Sequence, residues 1–246
     1  MPGPRDATID RTRLPRHVGI VMDGFDRWIS GHDASRRSAR IAGLRAAWNV
    51  VLAARSIGIG FLSFYPFPGD RSSTSIFSAG VLLRIMRNQL QPAVERYGVR
   101  VVHSGDTSDL SVAARNNLES IERMTESCAG IVVNLAFNDG GRSEIVRAVN
   151  RWLSDGIARS NEGTRTDPAA AVTEEALREH LDLPEFPEPD LIIQSGGERR
   201  ISNFLLWESA YSEFLFSDTL WPDWTGDDFE KSIAEYQHRS RRFGGA

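Results

Sequence analysis

An α/β chain, a single domain with a central six-stranded, mainly parallel sheet flanked by helices, is predicted from two features of the sequence. Short apolar runs rich in Val, Ile, Leu and Phe alternate with longer stretches whose apolar residues recur at helical spacing. The runs are apolar nearly throughout, as strands covered on both faces by crossover helices must be. A length of 246 residues suits one such domain over residues 17–246, preceded by a charged, proline-bearing extension over residues 1–16.

In chain order, the strands are expected at His17–Met22, Phe61–Phe64, Val99–His103, Ile131–Leu135, Leu191–Ile193 and Phe214–Phe216. The helices are expected at Arg37–Ser56, Ile76–Tyr97, Leu110–Cys128, Arg142–Leu153, Glu174–Leu181 and Asp227–Arg241. The fourth follows Gly140-Gly141, and the last follows Thr225, a residue suited to cap a helix N-terminus. Pro66–Ser75 reads as a loop able to act as a lid, and Ser154–Ala169, polar around Asn161-Glu162-Gly163, as a surface connection.

Composition narrows the class. With 41% hydrophobic and 25% charged residues the chain is an ordinary soluble globular sequence, and its net charge of -4 offers no global attraction to a nucleic-acid backbone. Any anion site must therefore be local. The lone Cys128 has no partner for a disulfide, and five scattered histidines do not form a zinc pattern. No run approaches the roughly 18 apolar residues of a membrane span, and the N-terminus does not read as a signal peptide, so a cytoplasmic protein without stable membrane insertion is expected.

Ligands of parallel sheets sit at the carboxyl ends of the strands, so the residues following each run are the candidate site. After the first strand, Asp23-Gly24 allows close approach to the backbone, and Arg27 follows within one turn. A carboxylate and a guanidinium there suit a metal-bridged phosphate, although an Asp capping a helix and paired to Arg27 is the plainer alternative. After the fifth strand, Gly196-Gly197 precedes Glu198, Arg200 and Ser202, a spacing that can aim a fork of donors and a hydroxyl at one phosphate. After the fourth, Asn138 and Gly140-Gly141-Arg142 open a helix, and Arg142 is read as structural. Glu213, in the aromatic segment Trp207–Trp224, is a candidate second carboxylate near the metal, while the aromatics are read as core or subunit contact.

Four segments occur together and in order: HVGIVMDGFDRW, NDGGRSEIVRAV, IIQSGGERRISNFLLWESAYSEFLFSDTLWPDW and the terminal RRFGG. Together they resemble the cis-prenyltransferase family, typified by undecaprenyl diphosphate synthase, across Leu14 to Gly245. The resemblance implies a homodimeric, Mg²⁺-dependent enzyme that joins an allylic diphosphate to isopentenyl diphosphate beneath a hydrophobic tunnel. It implies that Asp23 is the central magnesium and diphosphate residue, and that Gly24, Arg27, Trp28 and Arg40 belong to the allylic site. It assigns Arg200 and Ser202, ordered by Glu198, to a second diphosphate, Glu213 to the metal, and Arg242, Gly244 and Gly245 to a tail that reaches the partner subunit.

Departures from the family pattern bear on the reaction. Where the family reads D-G-N-G-R-W, this chain has Phe25 and Asp26 between Gly24 and Arg27, and an apolar ring cannot accept a proton. Leu44 replaces a phosphate-binding histidine four residues after Arg40, and Trp48 stands on the tunnel-facing helix where small residues are usual. The loop usually reading S-x-E-N-W is Pro68-Gly69-Asp70-Arg71-Ser72. Gln194 replaces the arginine of R-T-x-G-E, and losing a charge-assisted phosphate contact is worth roughly 1.5–3 kcal/mol. These changes point to a prenyl diphosphate enzyme that makes a short, irregular, branched or cyclised isoprenoid from allylic diphosphates, with Asp23, Phe25, Asp26 and Glu213 closest to the chemistry. Three alternatives stand beside it: a conventional short-chain cis-prenyl diphosphate synthase, a terpene synthase that releases diphosphate from one substrate, and a non-catalytic partner subunit.

Overall fold

A computed structural model describes residues 9–66, 83, 84, 86, 96–108, 110–161 and 171–239. Six strands form one all-parallel sheet: β1 (His17–Val21), β2 (Phe61–Tyr65), β3 (Arg100–Ser104), β4 (Val132–Ala136), β5 (Leu191–Gln194) and β6 (Glu213–Phe216). Their spatial order is β3-β4-β2-β1-β5-β6, which puts β1 and β5 side by side near the middle. Each expected strand is present, displaced at its ends by a residue or two.

The described helices are α1 (Phe25–His32), α2 (Arg36–Ile57), α3 (Val112–Thr125), α4 (Gly141–Asn161), α5 (Glu174–Glu179) and α6 (Gly226–His238). Short 3-10 turns lie at Glu208–Tyr211 and Trp221–Asp223. Helix α6 begins as its sequence suggests, with Thr225 and Asp228 closing a reciprocal capping box. Two expectations change. Helix α1 is not among the expected helices; the helix start weighed at Asp23 falls one residue later, at a left-handed Gly24 without any side-chain cap. Helix α4 runs through Asn161, so the first half of the expected surface connection is helical. Most of the Pro66–Ser75 loop and of the helix expected over Ile76–Tyr97 lies outside the described residues, as does the tail with Arg242, Gly244 and Gly245.

Alternation along the strands divides the core. Val18, Ile20 and Met22 of the β1 segment, Leu62 and Phe64 of β2, and Leu191 and Ile193 of β5 face a large cluster shared with α2, α3 and α6. Val21, Tyr65, Ala136 and Ile192 face Phe204 and Leu205 on the other side. Burial on both faces explains why these strands read as continuous apolar runs. At Gly19 an added Cβ would lie 2.6 Å from Ile192 Cδ1, so the second face packs directly onto the β1 backbone. Residues Asp10 and Arg13, read as part of an extension, bond the end of α6 through Gln237.

Candidate active site at the carboxyl ends of the central strands

Because β1 and β5 are parallel neighbours, with Val21 in register with Gln194, the loops that follow them emerge at one edge. Asp23 and the loop beginning at Ser195 therefore meet. The Asp23 backbone N–H donates to Ser195 Oγ (2.9 Å), and Ser195 Oγ donates to the Val21 carbonyl (2.9 Å), tying the two loops together. Gly24 at φ 98° turns the chain into α1, and its N–H donates to Asp23 Oδ1 at 2.6 Å. A Cβ at Gly24 would lie 2.7 Å from Leu220 Cδ2. Gly196 sits against the Asp23 carbonyl, where a Cβ would come within 3.0 Å, and its φ of +81° is one that L side chains rarely adopt.

Charged side chains of the two loops form an alternating row. Asp23 Oδ1 lies 3.9 Å from Arg27 Nη2, Arg27 Nη2 lies 3.7 Å from Glu198 Oε1, and Arg200 Nη1 donates to Glu198 Oε2 at 2.6 Å. Beneath this row is Gln194, only 1% exposed. Its amide donates to the Ser195 carbonyl (3.0 Å) and, more weakly, to Asp23 Oδ2 (3.4 Å), and its oxygen accepts from Ser202 Oγ (3.3 Å). A neutral amide thus links the two halves of the site. Arg40 is half-buried on α2, where burial and then the neighbouring Arg36 hold its guanidinium below the usual arginine value.

The apolar departures share one wall. A Cβ placed on Gly43 of α2 would lie 2.6 Å from Phe25 Cε1, so the ring packs closely against that helix. Leu44 and Trp48 on the same helix pack, like Phe25, against the large core cluster, and Trp48 meets Tyr97 edge to face at 5.8 Å. Asp26 is exposed on the first turn of α1. Trp28 turns away from the charged row, donating from Nε1 to Asp223 Oδ1 (2.7 Å) and stacking on His32.

Glu213 is not brought to Asp23 within this chain. It opens β6 in register with Leu191, whereas Phe216 is the residue level with Gln194. Three residues of strand, about 10 Å, separate it from the edge that carries Asp23. Its carboxylate instead accepts from Arg239 Nη1 at 3.1 Å.

Asn203, to which the sequence assigns no role, anchors the loop that bears Arg200 and Ser202. Its carbonyl accepts from Gly141 N (2.7 Å) and its side-chain oxygen from Arg142 N (3.1 Å), so the N-terminus of α4 grips this loop. Ser202, Asn203 and Leu205 all have positive φ, between 44° and 62°. A non-glycine residue in that region costs about 1–2 kcal/mol, so the loop needs such anchors.

Behind the loop lies a buried acidic cluster. Asp182 receives Arg147 and Arg151, while Asp139 accepts from Ser104 Oγ at 2.7 Å and lies 3.5 Å from Arg147 Nη2. Burial, with its carboxylate neighbours adding, pushes Glu144 up to about 9, Glu208 to about 7 and Asp139 to about 6. Two guanidinium groups face four carboxyl groups here. No periodic or motif signal connects positions 139, 144, 182 and 208; only the fold does.

Comparison with known proteins assigns this arrangement a lineage. A family profile described as undecaprenyl diphosphate synthase matches residues 21–244. The isoprenyl transferase of Treponema pallidum (strain Nichols) is 36% identical over 233 residues, covering 94% of this chain and 99% of the relative. Isoprenyl transferase 2 of Bradyrhizobium diazoefficiens is 37% identical over 240 residues, 96% of this chain and 92% of its own. Among solved structures, lavandulyl diphosphate synthase from Lavandula x intermedia, in complex with dimethylallyl diphosphate, superposes with a TM-score of 0.84 at 27% identity, covering 94% of this chain and 99% of that one. An undecaprenyl diphosphate synthase from Campylobacter jejuni gives 0.74 at 30% identity, covering 95% and 99%.

Proposed function

The chain belongs to the undecaprenyl diphosphate synthase family of cis-prenyltransferases, a family of prenyl diphosphate transferases, and from that premise we propose that it couples short allylic diphosphates into a short, branched or cyclised product. Gln194 carries the reading. It is buried, its amide is engaged by Ser195, Asp23 and Ser202, and it brings no positive charge to the second diphosphate. Arg200 and Ser202 then meet that diphosphate without a cation from position 194, which sets this second-diphosphate site apart from the family pattern built for isopentenyl diphosphate. The likeness to a synthase solved with dimethylallyl diphosphate supports a five-carbon allylic substrate.

In this proposal Asp23, Arg27 and Arg40 bind the allylic diphosphate. A partly exposed carboxylate beside phosphate oxygens is a donor set Mg²⁺ accepts, and Asp23 fits that role, whereas Glu213 of the same chain is too distant along the sheet. When bound, the metal would neutralise charge on the departing diphosphate. The wall of Phe25, Leu44 and Trp48 excludes water from the allylic cation, and the ring face of Phe25 stabilises it. The double bond of the second prenyl unit attacks the cation, a carbon–carbon bond forms, and a proton leaves. We assign that proton to the departing diphosphate held at Arg27, since Asp26 is exposed on the outside of α1. A homodimer in which the tail with Arg242 and Gly244 reaches across belongs to the same proposal, as does a cytoplasmic enzyme; among the described residues no helix is long and apolar enough to cross a membrane.

The test is incubation with Mg²⁺ and five-, ten- or fifteen-carbon allylic diphosphates, each with and without isopentenyl diphosphate, and mass spectrometry before and after phosphatase. A diphosphate product from allylic substrate alone is expected. A strict requirement for isopentenyl diphosphate, with five carbons added per turn, would replace the proposal with conventional elongation, the reading favoured by identity of 36–37% to isoprenyl transferases. Loss of diphosphate from the product would mark a terpene synthase.

A further inference from the structure

Two acceptor groups face each other where the diphosphate loop returns to the body of the protein. Glu208 opens the 3-10 turn that follows the strained segment Ser202–Leu205, and Glu144 lies on the first turn of α4. The Glu144 carboxyl is within hydrogen-bonding reach of Glu208, and Glu208 Oε2 is buried without a donor. Glu144 Oε1 already accepts from the Asp182 backbone N–H at 3.2 Å. Ionised carboxylates are acceptors only, so two of them in contact are satisfied when a proton lies between them.

Among the described residues no cation is hydrogen-bonded to either carboxyl group, although Arg147, whose Nε is buried without a partner, faces Glu144. Asp139 from the loop after β4 and Asp182 from beyond α5 both face the pair and add negative potential. Arg147 faces Glu144 but bonds Asp182 and pairs with Asp139, and Arg151 bonds Asp182 and the His180 carbonyl. His103, near Asp182 and Arg147, is half-buried, and desolvation lowers its pKa to about 4.

We propose that Glu144 and Glu208 share one proton, and that this bond is a latch that positions the Arg200–Ser202 arm of the diphosphate cradle. The inference rests on the diphosphate reading of that arm. Gly141 and Arg142, which grip Asn203, sit on the same first turn of α4 as Glu144. The latch and the grip therefore fasten the strained loop from both ends to one helical turn. Removing the proton leaves two buried anions on the two elements that must stay in contact. The 3-10 turn is pushed from α4, and Ser202 and Arg200 lose their placement. Glu144 and Glu208 are positioning residues in this account.

The experiment compares wild type, Glu208→Gln, Glu144→Gln and Glu208→Ala from about pH 6 to about pH 9. Hydrogen exchange over residues 197–206, corrected for the intrinsic pH dependence of amide exchange, reads the latch. Binding of inorganic pyrophosphate reads the cradle, and taking ratios between proteins cancels the ligand's own titration. Wild type is expected to lose protection at the alkaline end and to lose pyrophosphate affinity about tenfold relative to Glu208→Gln, whose amide donates at every pH. Glu208→Ala is expected to exchange fast throughout, and Glu144→Gln to behave like Glu208→Gln. Superimposable exchange profiles for wild type and both Gln variants overturn the latch, and so does a change in exchange that leaves relative pyrophosphate affinity unmoved. Absence of pyrophosphate binding by every protein at every pH overturns the diphosphate reading instead, and the exchange data still decide whether the proton is shared.

Discussion

Two charged clusters meet on either side of one loop, and they differ in how completely their charges are paired. In the cradle, Arg27 and Arg200 are 51% and 63% exposed, and Arg27 reaches its carboxylates at 3.9 and 3.7 Å. In the cluster behind it, Asp139 and Asp182 are 2% and 5% exposed, and Arg151 meets Asp182 at 2.7 Å. Solvated pairs, whether as long as Arg27–Glu198 or as short as Arg200–Glu198 at 2.6 Å, cost little to exchange, so a diphosphate can take the place of Glu198 on Arg27 or Arg200. Short, buried pairs are costly to break from one side, so they hold a backbone in place. Exposure of the carboxylates, more than charge identity, distinguishes a place for a ligand from a place for a loop.

The sharpest way to break this comparison is Arg147→Met. It strands Asp139 without a cation in a buried setting and leaves Asp182 to Arg151 alone, and a loss of about 3–5 kcal/mol in urea unfolding is expected. A loss below about 1 kcal/mol would mean that the cluster is as dispensable as surface pairs. Asp23→Ala should behave oppositely, lowering turnover by about 10²–10³ at saturating Mg²⁺ and substrate while the unfolding midpoint barely moves. Gln194→Arg comes next, because it adds a cation beneath Ser202. Affinity for isopentenyl diphosphate should rise about tenfold, read from KM with kcat as control. An unchanged KM would remove Gln194 from the argument about acceptor choice.

What could be read from the sequence follows the same division. Strands buried on both faces announce themselves as apolar runs, and parallel pairing sends their following residues to one edge, so the meeting of Asp23 and Arg27 with Glu198, Arg200 and Ser202 was legible. The separation of Glu213 from Asp23 within this chain was not legible, since only the register shows that the first residue of β6 is at the opposite edge from the last residue of β5. The start of helix α1 falls one residue after the Asp23 weighed for it, and the end of α4 was hidden by the polar run around Gly156. The acidic cluster has no local signature at all, since its four carboxyl groups come from β4's loop, α4, the turn after α5 and a 3-10 turn.

Acidity should separate the carboxyl groups of that cluster by sign. Asp139, Glu144 and Glu208 have raised values in the folded state, so the stability they contribute is complete at low pH and is lost as pH rises from about 4 toward about 9. Asp182, whose value is lowered even though burial opposes it, because Arg147 and Arg151 bond its ionised form, contributes stability that is lost as pH falls. Resistance to thermal unfolding should therefore be greatest on the acid side of neutrality, above the range where Asp182 protonates. In Glu208→Gln the alkaline decline should be shallower. A stability profile that still climbed through pH 9 would contradict the raised values.

The smallest expected effect concerns Trp28, which divides the first junction between the two kinds of role. Its neighbours Asp23 and Arg27 face the charged row, but its own indole N–H is committed to Asp223, and its ring to His32. Trp28→Phe keeps an aromatic ring on α1 and deletes one hydrogen bond, so about 1 kcal/mol of stability should be lost. KM for the allylic diphosphate should stay within about twofold, since a half-kilocalorie change is within the range of substitutions away from a site. A rise in KM well beyond that, with stability unchanged, would place Trp28 with the cradle. It would also mean that the bond to Asp223 orients α1 toward substrate and does not merely fasten it to the turn at Trp221–Asp223.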